Sequence, residues 1–241
     1  MKIKALVAAI GAFAVVANAG DHVDAKAPIV AEESLGATIS TGYMTNYLFY
    51  GVDFGENAIW TGIDYTITEL PIPVSVGVWY INPTSGSQND ELDLYASVAG
   101  PSIAGFDTSI TATAFLYPEL GSGETYEIAA GVTRSLGIVD MSASAHYDLE
   151  LEAWYFDTGV EKSFGISDNT DLVISAGVGY SIDYFSQGGG LNHAYVQASL
   201  PIALSSNVTL SPYIGGLFAL DAIDSIQDDI VHGGVSLSVE F

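Results

Sequence analysis

Cysteine is absent from this 241-residue chain, so no disulfide staples it and its stability must come from elsewhere. Basic residues are nearly absent too: five Lys and Arg stand against 29 Asp and Glu. Two of the five, Lys2 and Lys4, lie in the first four residues, which leaves Lys26, Arg134 and Lys162 for the rest of the chain. A surface so acidic repels phosphate backbones and excludes nucleic acid as a partner; it favours cations instead. After Val16 no apolar run is long enough for a membrane-spanning helix. No segment holds a helical period of 3.6 for long. Charged residues make up only 14% of the chain and hydrophobic ones 49%, too apolar for disorder and unusual for a soluble acidic protein.

The N-terminus reads as a processing signal. Lys2 and Lys4 precede the apolar stretch Ala5 to Val16, and Ala17-Asn18-Ala19 is a small-residue cleavage site. The expected division is a signal peptide over 1–19, a polar periplasmic leader over 20–34 and one domain over 35–241. Past the cleavage site, three basic residues against 29 acidic ones give a formal charge of −26.

The apolar residues of that domain alternate with small polar ones. Leu92, Leu94, Ala96 and Val98 oppose Asp93, Tyr95 and Ser97; Ala194, Val196, Ala198 and Leu200 oppose Tyr195, Gln197 and Ser199. Twelve such strands are predicted, over 35–49, 57–67, 72–82, 91–99, 105–117, 124–135, 139–148, 153–163, 171–182, 192–201, 207–218 and 230–241. Their lengths approach the ~10 residues with which a tilted strand crosses a bilayer. Tight turns follow the even-numbered strands. Acidic or Gly-rich connections, most of them longer, follow the odd ones, the asymmetry of bacterial barrels. An even strand count puts both ends of the domain on the short-turn rim, which is expected to be periplasmic. In lipid every backbone polar group must pair within the protein. The expected fold is therefore all-β: a closed antiparallel transmembrane β-barrel of about 12 strands with up-and-down topology, in the bacterial outer membrane. Alternation alone does not say whether the apolar face meets lipid or a second sheet. Aromatic placement favours lipid. Tyr47, Phe49, Tyr80, Tyr126, Tyr147, Trp154, Phe156, Tyr180 and Phe218 are expected to face outward near the long-loop rim, with Tyr65, Phe106, Phe164 and Phe241 near the other.

The last strand places Val235, Leu237, Val239 and Phe241 on one face and ends on the aromatic. A terminal amphipathic strand closed by Phe resembles the sorting signal of outer-membrane barrels. It implies two partners, outer-membrane lipid and the outer-membrane assembly machinery; a homo-oligomer is also open.

The run Tyr43 to Trp60 (YMTNYLFYGVDFGENAIW) is the most distinctive. A Tyr-x-Phe strand, then Gly, then an acidic turn into an apolar-aromatic strand resembles the TorF-type porin family. Tyr47, Phe49 and Gly51 match its Tyr-x-Phe-Arg-Gly pattern, while Tyr50 replaces the usual Arg. The resemblance implies a twelve-strand barrel and, more thinly, a channel.

Residues on the polar phase would line a lumen. The charged candidates are Asp64, Asp93, Asp107, Glu127, Asp157, Glu161 and Glu240, with His146, His193 and His232; Trp60, Trp79, Tyr95, Tyr155, Tyr195, Tyr213 and Gln197 join them. Such a lumen would pass small cationic or neutral solutes, or be filled by its own side chains. The rival readings are a non-conducting structural or adhesive barrel and an outer-membrane lipid-modifying enzyme. Ser144 and His146 share a strand face, but no third group to orient the imidazole is visible in the sequence, and no catalytic residue is assigned. The four His residues have no metal-ligand spacing and no cofactor is implied. Asp221, Asp224, Asp228 and Asp229 read as a solvated acidic loop, and Gly188 to Gly190 as a flexible one.

Overall fold

The computed structural model describes residues 35–67, 70–85, 90–120 and 123–241. The expected signal peptide and leader, residues 1–34, lie outside the described residues. Alternation produces twelve long strands and one short one: β1 (Ala37–Phe49), β2 (Val52–Ile67), β3 (Val74–Ser85), β4 (Glu91–Ala99), β5 (Asp107–Leu116), β6 (Thr125–Ser135), β7 (Asp140–Asp148), β8 (Ala153–Ser167), β9 (Thr170–Ile182), β10 (Gly189–Ser199), the two-residue β11 (Ile202–Ala203), β12 (Val208–Ala219) and β13 (Ile230–Glu240). Each long strand pairs antiparallel with its sequence neighbour. The ring closes where β13 also pairs with β1, from Thr38 opposite Glu240 to Met44 opposite Gly234. The Phe241 amide donates to the Ala37 carbonyl at 2.9 Å and extends the seam by one rung. No sheet edge is left among the long strands, as a bilayer demands.

The two faces separate as the pattern dictates. Ile59, Ile63, Leu94, Ile110, Ile128, Val160, Val196 and Ile214 lie exposed on the outside. Ser75, Ser97, Ser109, Thr111, Ser144, Ser199, Ser211 and Ser236 are buried on the inside. Apolar rows facing out and hydroxyls facing in are the inverse of a soluble barrel or sandwich. An apolar band of that kind is stable only against hydrocarbon, and this is the architecture of an outer-membrane protein.

Aromatic girdles flank the band. Trp154 stacks with Phe156 at 5.7 Å and 9°, and Tyr147 and Tyr180 extend that cluster at the loop rim. At the turn rim the Arg134 guanidinium lies 5.0 Å above the Phe106 ring. Two residues assigned to the outer girdle are not there. Tyr47 is buried inside, and Phe49 packs against Phe54, Phe115 and Tyr184 rather than facing lipid. The pairing of β1 with β2 slips between Asn46 and Leu48, where two steps on β1 oppose three on β2. Such a bulge bends the hairpin and interrupts the alternation, and beyond it the hairpin tip turns into the lumen.

The length asymmetry of the connections is weaker than expected. The β1–β2 connection is only Tyr50–Gly51 and the β7–β8 connection spans 149–152, while the longest loop-rim segment is 220–229. The second strand starts at Val52, not at 57, because the acidic stretch after Gly51 pairs back onto β1 instead of looping.

The outward band predicts a depth-dependent cost for charge. Ala130 lies mid-strand on β6, opposite Ile110 and Ala145 on the outer face. Ala130→Arg should lower barrel stability by about 2–4 kcal/mol, measured by urea unfolding from lipid vesicles, although the native Arg134 is tolerated at the rim of the same strand.

Candidate functional site

The lumen is lined by alternate residues of every long strand. Asp64, Asp93, Asp107, Glu127, Asp157 and Glu161 all take the inward phase, as do Trp60, Trp79, Tyr95, Tyr155, Tyr195 and Gln197. Tyr213, His146, His193, His232 and Glu240 share it. The inward set also includes Glu91 and Asp148, both buried and each two positions from an inward residue, so the period-2 rule could have named them. Among the described residues, the Lys and Arg side chains are those of Arg134 and Lys162. Both fall on the outward phase, in register with Met141 and Ile174. Every fixed charge on the described lumen wall is therefore a carboxylate.

Glycines shape this wall. Trp60 faces Gly42 across a strand pair, Trp79 faces Gly62, Tyr95 faces Gly77, Tyr195 faces Gly177, Tyr213 faces Gly234 and His232 faces Gly215. A methyl group on Gly42 would meet the Trp60 indole at 2.6 Å, and one on Gly177 would meet the Tyr195 ring at 2.6 Å. Each ring lies down over the glycine beside it instead of projecting to the axis. The aromatics thus form flat platforms along the wall. The Tyr95 hydroxyl donates to the Asp64 carboxylate on the neighbouring wall.

The centre of the lumen is crossed by the β1–β2 tip. In the closed ring β7 lies six strands from β1 in either direction. Tyr50, at the tip, reaches that opposite wall. Its hydroxyl donates to Glu127 Oε2 on β6 at 2.7 Å and lies 2.9 Å from His146 Nδ1 on β7. Its ring stacks on Tyr155 of β8 at 3.8 Å and 16°. Tyr50 and Gly51 both have positive φ, 48° and 84°, the pair of left-handed residues that a two-residue type I′ hairpin turn requires. A tyrosine in this region is strained, and its contacts at the far wall hold it. Gly51 packs against the His193 ring with no room for a Cβ. Asn192 donates to the Tyr50 carbonyl. It reaches inward because β10 bulges there, Leu191 pairing with Tyr180 and His193 with Gly179, so that Asn192 and His193 are both buried in the lumen. The base of the tip is fixed on the near wall. Tyr47 packs on Trp79 at 5.7 Å and donates to Glu91 Oε1 at 2.6 Å. From above, the Asp53 amide donates to Gln227 Oε1 at 2.8 Å, within the 220–229 loop that buries Ala222 and Ile223. The four aspartates of that loop are exposed, as a solvated acidic loop requires, while Ala222 and Ile223 pack inward.

Besides Glu91 and Asp148, sequence reasoning missed Tyr47, Tyr50 and Asn192 in the lumen, because two bulges break the alternation it relied on. Among residues on connections, burial raises the phenol pKa values of Tyr50, Tyr117 and Tyr184 above the usual range, and the carboxylates of Glu127 (near Tyr50 and Tyr184) and Glu91 (near Tyr117) raise them further. These phenols are hydrogen-bond donors at any physiological pH.

The third group that Ser144 and His146 lacked in sequence is Glu127. Ser144 Oγ lies 2.9 Å from His146 Nε2, and His146 Nδ1 lies 2.8 Å from Glu127 Oε1. Nδ1–H donating to Glu127, with Ser144 donating to Nε2, satisfies all three. This is the hydrogen-bond order of a nucleophilic triad. An oxyanion hole is not built beside it: Ser144 sits mid-strand, paired with Gly131 and Asp157 on its two sides, so strand pairing engages the backbone and a carboxylate faces the serine. Among the described residues no group of three or more His, Asp or Glu converges as a metal site.

Comparison with known proteins supports the fold. No protein-family model matches the sequence, and no curated protein sequence matches it. Solved structures do. The KdgM porin superposes with a TM-score of 0.56 at 9% identity, over 85% of this chain and 99% of that one. The COG4313 outer membrane channel from Pseudomonas putida F1 gives 0.56 at 12%, over 92% and 100%. The NanC porin gives 0.52 at 10%, over 85% and 98%. The chain thus shares the architecture of twelve-strand porin-type barrels. These comparisons do not tie the chain to the TorF-type family in particular; that resemblance rests on the Tyr43 to Trp60 run, with the strand number and the C-terminal Phe.

The Tyr50 latch makes a measurable claim. Tyr50→Phe keeps the ring but takes one hydrogen-bond partner from buried Glu127, and should cost about 1–3 kcal/mol. Tyr126→Phe, on the outward face next to Glu127, should change stability by less than about 0.5 kcal/mol. Urea unfolding followed by tryptophan fluorescence compares the two.

Proposed function

We propose that this protein is an outer-membrane channel for passive diffusion of small neutral or cationic solutes. Its last strand would deliver it to the assembly machinery, and the β1–β2 tip would narrow its acidic lumen. The observation that carries this reading is the sign of the wall: carboxylates at every inward fixed charge, with both described basic side chains turned outward. A permeant anion would be desolvated among like charges with no partner, whereas a cation gains from each carboxylate it passes. The fold alone does not carry a ligand across from its neighbours. One structure of the KdgM porin is described as a complex with disordered oligogalacturonate. That ligand is a polyanion, and among the described residues the lumen wall offers it no Lys or Arg.

Reconstitution in a planar bilayer under a salt gradient tests the reading. The reversal potential should take the sign of cation preference. Asp107→Lys with Glu161→Lys, both inward near the turn rim, should shift it toward anions. A silent barrel, or anion preference in the wild type, would refute the channel as described.

One observation favours a second reading. The Ser144–His146–Glu127 alignment is that of a serine acyl-transfer enzyme, and an outer-membrane lipid-modifying activity would use it. The missing oxyanion donors and the facing Asp157 count against it. A fluorophosphonate probe should leave the wild-type barrel unlabelled; labelling that disappears in Ser144→Ala would instead establish a reactive serine.

A further inference from the structure

The tip sets two hydroxylated rings into two similar places. Tyr47 packs against Trp79 and gives its hydroxyl hydrogen to Glu91. Tyr50 stacks on Tyr155 and gives its hydroxyl hydrogen to Glu127. Each place combines an aromatic platform with a carboxylate acceptor, and each holds a neutral ring that donates through oxygen. The walls also offer more than the tyrosines use. Trp79 Nε1 is buried without a hydrogen-bond partner, whereas the Tyr155 hydroxyl and the Asp157 carboxylate, two residues apart on the same face of β8, serve each other. Trp79 is 8% exposed. Buried polar atoms of native proteins are nearly always paired, so such a group calls for an explanation.

We infer that these are two subsites for a neutral saccharide ring, occupied here by the protein's own Tyr47 and Tyr50. This rests on the channel reading above and names its solute class. A sugar ring presents an apolar C–H face to an aromatic platform. Its hydroxyls both donate and accept, so they serve Glu91 and Glu127 and also Trp79 Nε1, which only an acceptor can satisfy. A simple organic cation would use the carboxylates and leave the indole N–H bare. An anionic sugar would set its carboxylate against Glu91 and Glu127 with no Lys or Arg beside it among the described residues. The saccharide competes with the tip for the same atoms, so removing the tip's tyrosines strengthens its binding.

The test uses the full chain, refolded in detergent, with Trp154→Phe so that the lumen residues Trp60 and Trp79 are its only tryptophans. Their fluorescence reports binding whether or not the barrel conducts. Glucose should bind Tyr47→Ala/Tyr50→Ala at least about tenfold more tightly than the parent, and Glu127→Gln or Glu91→Gln added to that variant should weaken it about tenfold. Glucuronate and choline should bind more weakly than glucose. Equal glucose binding with and without the tyrosines overturns the inference, as does no glucose binding, or preference for choline or glucuronate. Where the double variant fails the heat-shift assay for a folded barrel, Tyr50→Ala alone replaces it: Tyr47 still anchors the tip, the Tyr155 platform and Glu127 are freed, and glucose should bind several-fold tighter; an unchanged affinity overturns the inference. Bilayer currents without glucose binding would sink the subsites and leave the channel standing. Absence of current would sink the channel, while the titration still decides the subsites.

Discussion

The rest of the molecule depends on the pairing of β1 with β13. A bilayer offers no partner to a backbone N–H or C=O, so a sheet inside it must have no edge. Seven residue pairs, from Thr38–Glu240 to Met44–Gly234, convert a twelve-strand meander into a ring. Without them the two terminal strands would each expose a row of polar groups to lipid. With them, the alternation of every strand acquires a fixed meaning: one face is outside, the other encloses an axis. No disulfide and no large dry core is then needed, which agrees with a chain that has no cysteine.

Closure also sets what the interior can be. Twelve strands with serine, threonine and glycine inward leave space at the axis, which the aromatics of the wall strands do not take and the β1–β2 tip crosses. Trp60, Trp79, Tyr95, Tyr195 and Tyr213 each lie over a glycine of the neighbouring strand, so their bulk is laid along the wall and carries its polar edge with it. Two consequences follow. The wall gains stiffness at positions where glycine alone would weaken the strand. It also presents aromatic faces and carboxylates side by side, the surface chemistry on which any solute in this lumen acts.

Most of this was legible in the sequence because a period of two is robust when it repeats twelve times. Trp60, Asp93, Tyr155 and Gln197 point inward because they share a phase with Ser, Thr and Gly neighbours, and nothing interrupts that phase. Legibility fails where a bulge occurs. One slip between Asn46 and Leu48 turned Tyr47 and Phe49 from expected girdle residues into lumen residues; another at Asn192 brought an amide inward. Bulges depend on how neighbouring strands accommodate twist and coverage, a tertiary matter that alternation does not encode. The Glu127–His146–Ser144 chain was hidden for a different reason. Two of its members share a strand, but the third comes from the next strand, and only the register pairing Ala129 with His146 brings Glu127 within reach.

The departure from the Tyr-x-Phe-Arg-Gly pattern falls at the residue that crosses the lumen, and its chemistry bears on how firmly the tip is held. An arginine placed where Tyr50 lies would set a permanent positive charge against Glu127 in a water-poor site. Removing either partner of such a pair is strongly unfavourable, because it strands the other charge. A phenol makes a weaker claim. It adds one hydrogen bond, worth about 1.5–3 kcal/mol to a charged acceptor, and a ring stack worth about 0.5–1.5 kcal/mol. Set against these is the strain of a left-handed tyrosine, of order 1–3 kcal/mol. When the tip withdraws, Glu127 still has His146, so no charge is stranded. The tyrosine therefore turns what would be a fixed bolt into a contact whose gain is partly offset by its strain, and a segment held on such terms can yield to a solute that offers the same hydrogen bonds.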